Sequence, residues 1–402
     1  MSDPRVERLA RGALDACAPR AATARALRAR RLREPITVLA LGKCAPEMLR
    51  GALDVVEARE ALLISAPGRH EDLAARGVVI RIGGHPEPSV EAPLHGREAL
   101  ALAARAAPEG TLLVLVSGGG SAMLELPAAG VSIETVRRIS RTLMLAGADI
   151  ASLNVVRAAL SSIKGGRLAA ASRADVVTLV AEDVPGHPEL VASGPTVPIP
   201  TRDARAILAQ HAIPLDEALE AALSRPEVAL DRAPTVVTVV GNDGARRGVI
   251  EAASQLGVVM EDLGASLSGE AREAGARLVI AARDRAVVIG GETTVTVRGR
   301  GRGGRNQELV LGAYLARASG LVVSLGTDGI DGASEHAGAY LDEASWAHAA
   351  RDGLDAERAL VDNDSATYFA ATGTAIVTGP TGSNAADVAW VLPRRDPDDA
   401  SR

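Results

Sequence analysis

Aromatic residues are nearly missing from this chain of 402 residues, which has one Phe, three Tyr and two Trp. Hydrophobic content is still 47%, so cores must be built from Val, Leu, Ile and Ala, and stacking platforms for single-stranded nucleic acid are excluded. A basic surplus is also lacking: the formal net charge of -6 argues against bulk nucleic-acid binding. No run of about 18 apolar residues escapes charge, so no membrane span is expected. The opening MSDPRVERLARG has no signal-peptide apolar region, and a cytoplasmic protein is expected. Cys17 and Cys44 suggest no disulfide framework; Cys44 reads better as a buried small hydrophobe than as a reactive thiol.

Lysine is scarce as well. Of 44 basic residues all but Lys43 and Lys164 are Arg. Wherever a generic positive charge was needed, Arg served. The two lysines sit in LGKCAPE and SSIKGGRLA, beside glycines and near the ends of expected elements. A lysine is a compact, movable charge where arginine is a rigid fork, and a transferring phosphoryl group calls for the former.

What is present alternates. Short apolar runs, ITVLALG (36–42), ALLIS (61–65), VVIRI (78–82), TLLVLV (111–116) and DVVTLVAEDV (175–184), read as buried strands separated by helical patterns. That spacing predicts βαβ units and a mainly parallel sheet. After residue 285 the character changes: AVVIGGETTVTVRG suggests two short β runs, a glycine-arginine loop (299–308) leads into a helix, and LVVSLGTDGIDG pairs a strand with an acidic glycine loop. The expected organisation is α/β, with one domain over 1–234, a boundary region of open ownership over 235–284, a smaller domain over 285–392 and a disordered tail over 393–402.

Ligands of open parallel sheets gather beyond the carboxyl ends of strands. There lies SGGGSA (117–122): Gly118, Gly119 and Gly120 let backbone N–H groups converge on an anion, with hydroxyls from Ser117 and Ser121. It is not a Walker A sequence, since GxxxxGK[ST] is absent, and no early G-x-G-x-x-G supports a dinucleotide. Lys43 follows the first strand, Lys164 precedes Gly165–Gly166, and either can neutralise a transferring phosphoryl group. Arg305 opens a helix after a glycine loop and suits carboxylate or phosphate oxygens; Glu292 follows Gly290–Gly291. Asp183 ends a strand and Asp328 lies in GTDGIDG, placing either to bind Mg²⁺ or to take a hydroxyl proton. Asp362 and Asp364 read equally as turn residues. His85, in GGHPEP on the same rim, is read evenly as a substrate contact or a satisfied loop residue. No histidine shows metal-ligand spacing.

In this order the motifs GK (42–43), GGHPEP (83–88), SGGGSAML (117–124), LSSIKGGRLA (160–169), DVPG (183–186), SGPT (193–196), GN (241–242), GGETTV (290–295), GRGGRNQEL (301–309), GTDGIDG (326–332), NDS (363–365) and TGPTGSNAADV (378–388) resemble the glycerate 2-kinases that carry a C-terminal MOFRL domain, some members of which were labelled hydroxypyruvate reductase. The resemblance spans roughly 36–392. It implies a Rossmann-like N-terminal domain, a smaller α/β C-terminal domain, and a site in the cleft between them. It implies ATP and a divalent cation such as Mg²⁺, with D-glycerate phosphorylated at its 2-hydroxyl to 2-phosphoglycerate. Lys43 and Arg305 match family residues linked to catalysis, Asp183 and Asp328 would serve the metal or the hydroxyl, and Ser117 to Ser121, His85, Lys164, Asn242, Glu292 and Asn306 would contact substrate or phosphate. A monomer or homodimer is expected. The sequence departs from the family pattern at His187, where an acid usually follows DVPG, at Ala159 in place of His, and at Ala385–Ala386. Two other readings are nicotinamide-dependent reduction of hydroxypyruvate or tartronate semialdehyde, which lacks its fingerprint, and non-catalytic phosphometabolite binding, which needs fewer carboxylates.

Overall fold

The computed structural model describes residues 3–182 and 187–394. Asp183 and the DVPG motif lie outside the described residues, as does nearly all of the expected disordered tail. Two compact units emerge: one runs from Pro19 to Val239, the other combines the residues before Pro19 with those from Val240 onward.

In the first unit six strands, β1 (Ile36–Leu41), β2 (Ala58–Ser65), β3 (Val79–Ile82), β4 (Thr111–Ser117), β5 (Asp175–Ala181) and β6 (Thr235–Val240), form one sheet in the order β3-β2-β1-β4-β5-β6. The pairings among β1 to β5 are all parallel. This is the doubly wound Rossmann order, and it bears out the expected fold class. Every residue of β1 and β4 is buried, as continuous apolar runs covered on both faces require. Leu39, Leu41, Val114 and Val116 sit in one core with Leu102 and Met123, and truncating such a leucine to Ala costs about 2–5 kcal/mol. This unit contains no aromatic residue: Tyr314, Tyr340, Trp346, Tyr368, Phe369 and Trp390 all belong to the second.

The second unit also has six strands, β7 (Met260–Asp262), β8 (Ala286–Gly291), β9 (Leu321–Gly326), β10 (Gly338–Leu341), β11 (Ala375–Ile376) and β12 (Asp387–Leu392), in the order β11-β10-β9-β12-β8-β7. Only β7 and β8 pair in parallel; β8, β9, β10, β11 and β12 pair antiparallel. The helix Pro4–Ala16, expected with the first domain, groups with this unit. Gly12 and Gly248 explain why: a side chain on either would collide with the other's backbone, so the two helices pack with their main chains in close approach.

Of the two β runs expected in AVVIGGETTVTVRG, only β8 forms. Beyond it the backbone donors of Thr296, Arg298 and Gly299 go to the side chains of Glu270 and Asn363, leaving nothing for a strand partner. Asp364 caps the same loop through Arg302 N–H at 3.0 Å. Among the described residues no helix is long and apolar enough to cross a membrane.

Candidate active site

Strand order decides where the first group of residues meets. The winding direction reverses between β1 and β4, and the crevice at such a switch point is where open α/β sheets take ligands. The loop after β1 carries Gly42 and Lys43; the loop after β4 carries Gly118, Gly119, Gly120 and Ser121. Lys43 N–H donates to Gly118 O at 2.9 Å and Cys44 N–H to Ser117 Oγ at 3.0 Å. Gly42, at φ +114, leaves no room for a side chain against the Ser117 carbonyl and hydroxyl. Ser117 itself is buried and donates to Leu41 O at 3.3 Å, so it ties the two loops together.

Gly119 sits at φ +81, and the space its side chain would need is filled by His85 and the Lys43 chain. The backbone N–H groups of Gly118, Gly119, Gly120 and Ser121 donate to no acceptor among the described residues. Four consecutive idle donors form a ready anion cradle. The exposed Lys43 ammonium has no carboxylate partner among the described residues. Burial first, and the Lys43 charge second, hold the His85 imidazole below its usual value, so it is neutral at physiological pH.

The loop is braced from beneath. Ser193 Oγ donates to Asn154 Oδ1 at 2.7 Å and meets Ser121 Oγ at 2.8 Å. Ala192 and Ser193 both hold positive φ, 54 and 59 degrees, a strained conformation for residues with a Cβ, and Ala192 presses on Gly120. Lys164 is only 1% exposed. Its ammonium donates to Ser121 O at 2.8 Å and pairs with Glu125, which also accepts from Ser161 Oγ at 2.5 Å and Leu126 N–H at 2.9 Å. Burial lowers the Lys164 pKa, and Glu125 opposes that shift. Lys164 is thus a post under the glycine loop, with its charge already used.

A cavity of about 200 Å³ opens beside the loop, lined by His85, Gly119, Ser121, Asn154, Arg157 and Ala192 among others. Arg157 was not anticipated from sequence. Its guanidinium meets only Met144 Sδ at 4.0 Å and forms no salt bridge among the described residues. A signal existed: Asn154 and Arg157, at i and i+3, interrupt an otherwise apolar helix, Ile150–Leu160, and therefore share one face.

The second group is assembled by antiparallel register. Asp387, first residue of β12, lies opposite Gly326 at the end of β9 and Gly291 at the end of β8. Arg305 opens the helix Arg305–Leu315 and grips Asp387 with two bonds, 2.5 and 3.0 Å, while its third nitrogen meets Glu292 at 2.6 Å. Burial alone would lower the Arg305 pKa, but the bonds and charge of Asp387, with Glu292, hold it above the usual range. At Asp387, only 1% exposed against 31% for Arg305, burial outweighs the pairing and pushes the carboxyl up to about 6. Asn306 bridges Asp387 and Asp331, and Asp331 accepts the Asn306 and Gln307 N–H groups at 3.0 Å each, which caps the helix. Asp328 accepts Ile330 N–H at 3.1 Å and has no cationic partner among the described residues. A second cavity, of about 470 Å³, is lined by Glu292, Val295, Val297, Gly303, Arg305 and Asn363 among others.

Residues 5–224 match the model of a domain of unknown function, DUF4147, and residues 285–387 match the MOFRL family. A glycerate 2-kinase of Pyrococcus horikoshii is 33% identical over 87% of this chain and 85% of its own length; a D-glycerate 2-kinase of Thermotoga maritima is 34% identical over 88% and 89%. The crystal structure of a Thermotoga maritima glycerate kinase superposes with a TM-score of 0.88 at 31% identity, covering 97% of this chain and 98% of that one. The chain belongs to the MOFRL-domain glycerate 2-kinase family.

Within this family member the anticipated residues divide into those with free chemistry and those holding the scaffold. Lys43, the N–H groups of Gly118 to Ser121, His85 and Asp328 keep unused donor, acceptor or charge. Ser117, Lys164, Asn242 and Asn306 are buried and spent: Asn242 Nδ2 donates to Ala385 O and Asp387 O, both at 2.9 Å, and its Oδ1 accepts from Arg246 at 2.6 Å. Arg305 and Glu292 hold each other. Asp387, the main partner of Arg305, was also missed; nothing local separates it from a turn aspartate.

Proposed function

We propose that this enzyme phosphorylates D-glycerate at its 2-hydroxyl, using ATP, to give 2-phosphoglycerate and ADP. The observation that carries the reading is the switch-point loop pair: an exposed Lys43 ammonium beside four consecutive N–H donors, all without a partner among the described residues. Charge on a phosphoryl group in transfer is stabilised by preorganised donors and a movable cation. In the reaction the glycerate O2–Pγ bond would form as the bond from Pγ to the β–γ bridging oxygen breaks, and the hydroxyl proton would pass to a carboxylate. Asp183, assigned from sequence, is the candidate for that proton when Asp328 holds a metal ion. The 470 Å³ cavity has the size of a nucleotide site and an apolar wall at Val295 and Val297, which supports placing ATP there. A divalent cation requires one or two carboxylates besides phosphate oxygens and water. Asp328, with no cationic partner among the described residues, fits that need and would hold the ion, which neutralises the polyphosphate when bound.

Incubation of pure protein with ATP, Mg²⁺ and D-glycerate, read by phosphorus NMR, should yield ADP and the 2-phospho isomer. Absence of any phosphoglycerate, together with glycerate-dependent reduction of NAD, would replace the kinase with the reductase. Formation of the 3-phospho isomer would overturn the regiochemistry alone.

A further inference from the structure

Positive charge is in excess around the C-terminal half of the helix Ile150–Leu160. Among the described residues four cationic side chains collect there, Arg157, Lys164, Arg167 and Arg225, against the single carboxylate of Glu125. Three of the four are satisfied. Lys164 takes Glu125 and Ser121 O. Arg167 caps Ala158 O at 3.0 Å and Lys164 O at 3.1 Å. Arg225 donates to Ala159 O at 2.6 Å and Ser161 O at 2.8 Å. Among the described residues only Arg157 is left facing a cavity with its fork unmatched, although a half-buried guanidinium needs an anion or carbonyl partner.

The geometry points to Arg157 as the clamp for the carboxylate of the acceptor, with the 200 Å³ cavity as the acceptor subsite. This inference rests on the kinase reading and assigns its substrate contacts. Three observations support it. Arg305, the arginine that sequence offered for this role, already holds Asp387 in a bidentate grip and Glu292 with its remaining nitrogen, so a substrate carboxylate would have to displace a protein carboxylate. The Arg157 cavity, about 200 Å³, lies below the roughly 300–1,000 Å³ usual for larger ligands, which suits a three-carbon acid better than a nucleotide. Its wall places the rest of the chemistry next to a bound acid. Gly119 and Ser121 of the donor cradle line it, as does neutral His85. Asn154 also lines it; its carboxamide oxygen is taken by Ser193, while its N–H₂ donates to no described group. A carboxylate on Arg157 would leave the adjacent hydroxyl directed along a wall of hydrogen-bonding groups.

The test compares D-glycerate with D-glyceramide, which keeps both hydroxyls and loses only the charge. Wild-type enzyme should prefer glycerate by about 10–100-fold in kcat/KM, the worth of a hydrogen-bonded charge. Arg157→Gln should raise the KM for D-glycerate by a similar factor, leave the KM for ATP within about twofold, and bring the glycerate-to-glyceramide ratio close to one; Arg157→Lys should recover part of the preference. Wild-type enzyme that phosphorylates both acceptors equally overturns the clamp without any variant. So does an Arg157→Gln enzyme that loses both acceptors equally, or one whose defect lies in the KM for ATP. If the wild type phosphorylates neither, the kinase reading fails separately, and the subsite is then judged by thermal stabilisation: D-glycerate must raise the melting temperature of wild-type protein and not of Arg157→Gln.

Discussion

Replacing Lys164 by Met removes the only cation that touches Glu125, a carboxylate that is 1% exposed. An isolated buried charge is far more costly than the pair is valuable, and deleting one partner of such a pair destabilises by about 3–5 kcal/mol. In a unit of this length each kcal/mol shifts melting by about 2–4 °C, so the expected drop is about 6–20 °C. The assay must be far-UV circular dichroism, because both tryptophans lie in the other unit; tryptophan emission then serves as an internal control. Adding Glu125→Gln should recover at least half of the loss. The carboxamide oxygen still accepts from Ser161 and from Leu126 N–H, and no charge remains stranded. Assayed well below its melting point, Lys164→Met should retain turnover within about tenfold, since one supporting hydrogen bond to Ser121 O is worth ~1 kcal/mol. A variant that melts with the wild type yet loses turnover by orders of magnitude would refute the reasoning, because the ammonium would then be acting on ligand.

Lys43→Met should behave in the opposite way: kcat falls about 10²–10³-fold, as when one stabilising donor is removed from a transition state, while the melting temperature holds, a contrast read by pairing turnover assays with thermal melts. Gly119→Ala places a side chain at positive φ against His85 and Lys43; about 1–2 kcal/mol of backbone strain and a raised KM are expected, and an unchanged KM would argue that the loop does not touch ligand. Asp387 supplies a pH test. Its pKa is raised from 3.8 to about 6, so between these values the folded state holds more protons than the unfolded one. The associated stability is complete below 3.8 and is lost as pH rises through about 6. Urea midpoints for wild type should carry that downward component across the window, and Asp387→Asn should remove it; identical slopes would mean that Asp387 is already ionised in the folded protein at low pH.

Much of this was legible in one dimension because its cause is local. Continuous apolar runs such as TLLVLV, closed by glycine, require a strand buried on both faces, and the alternation with helices dictates a parallel sheet. Gly118–Gly120 announce a loop with free N–H groups because glycine permits their convergence. The Arg-for-Lys bias exposed Lys43 and Lys164 but left them indistinguishable. Separating them took tertiary structure: Lys43 ends in solvent over Gly119, whereas Lys164 turns inward onto Glu125, 39 residues away in sequence. The missed strand β10, GAYL, is too short to show a period. The missed helix Ser365–Thr372 begins in the DNDS stretch, which reads as a turn.

Sequence alone determined the fold class and the family, since both follow from motifs whose residues lie within a few positions of one another. Tertiary structure decided which polar groups remain free. Asp387 reaches Arg305 because antiparallel register sets β12 against the ends of β8 and β9. Arg157 stands unpaired among the described residues because Glu125, the one nearby carboxylate among them, is claimed by Lys164. Whether a charge is spent or available depends on partners far away along the chain, and no local pattern contains that information.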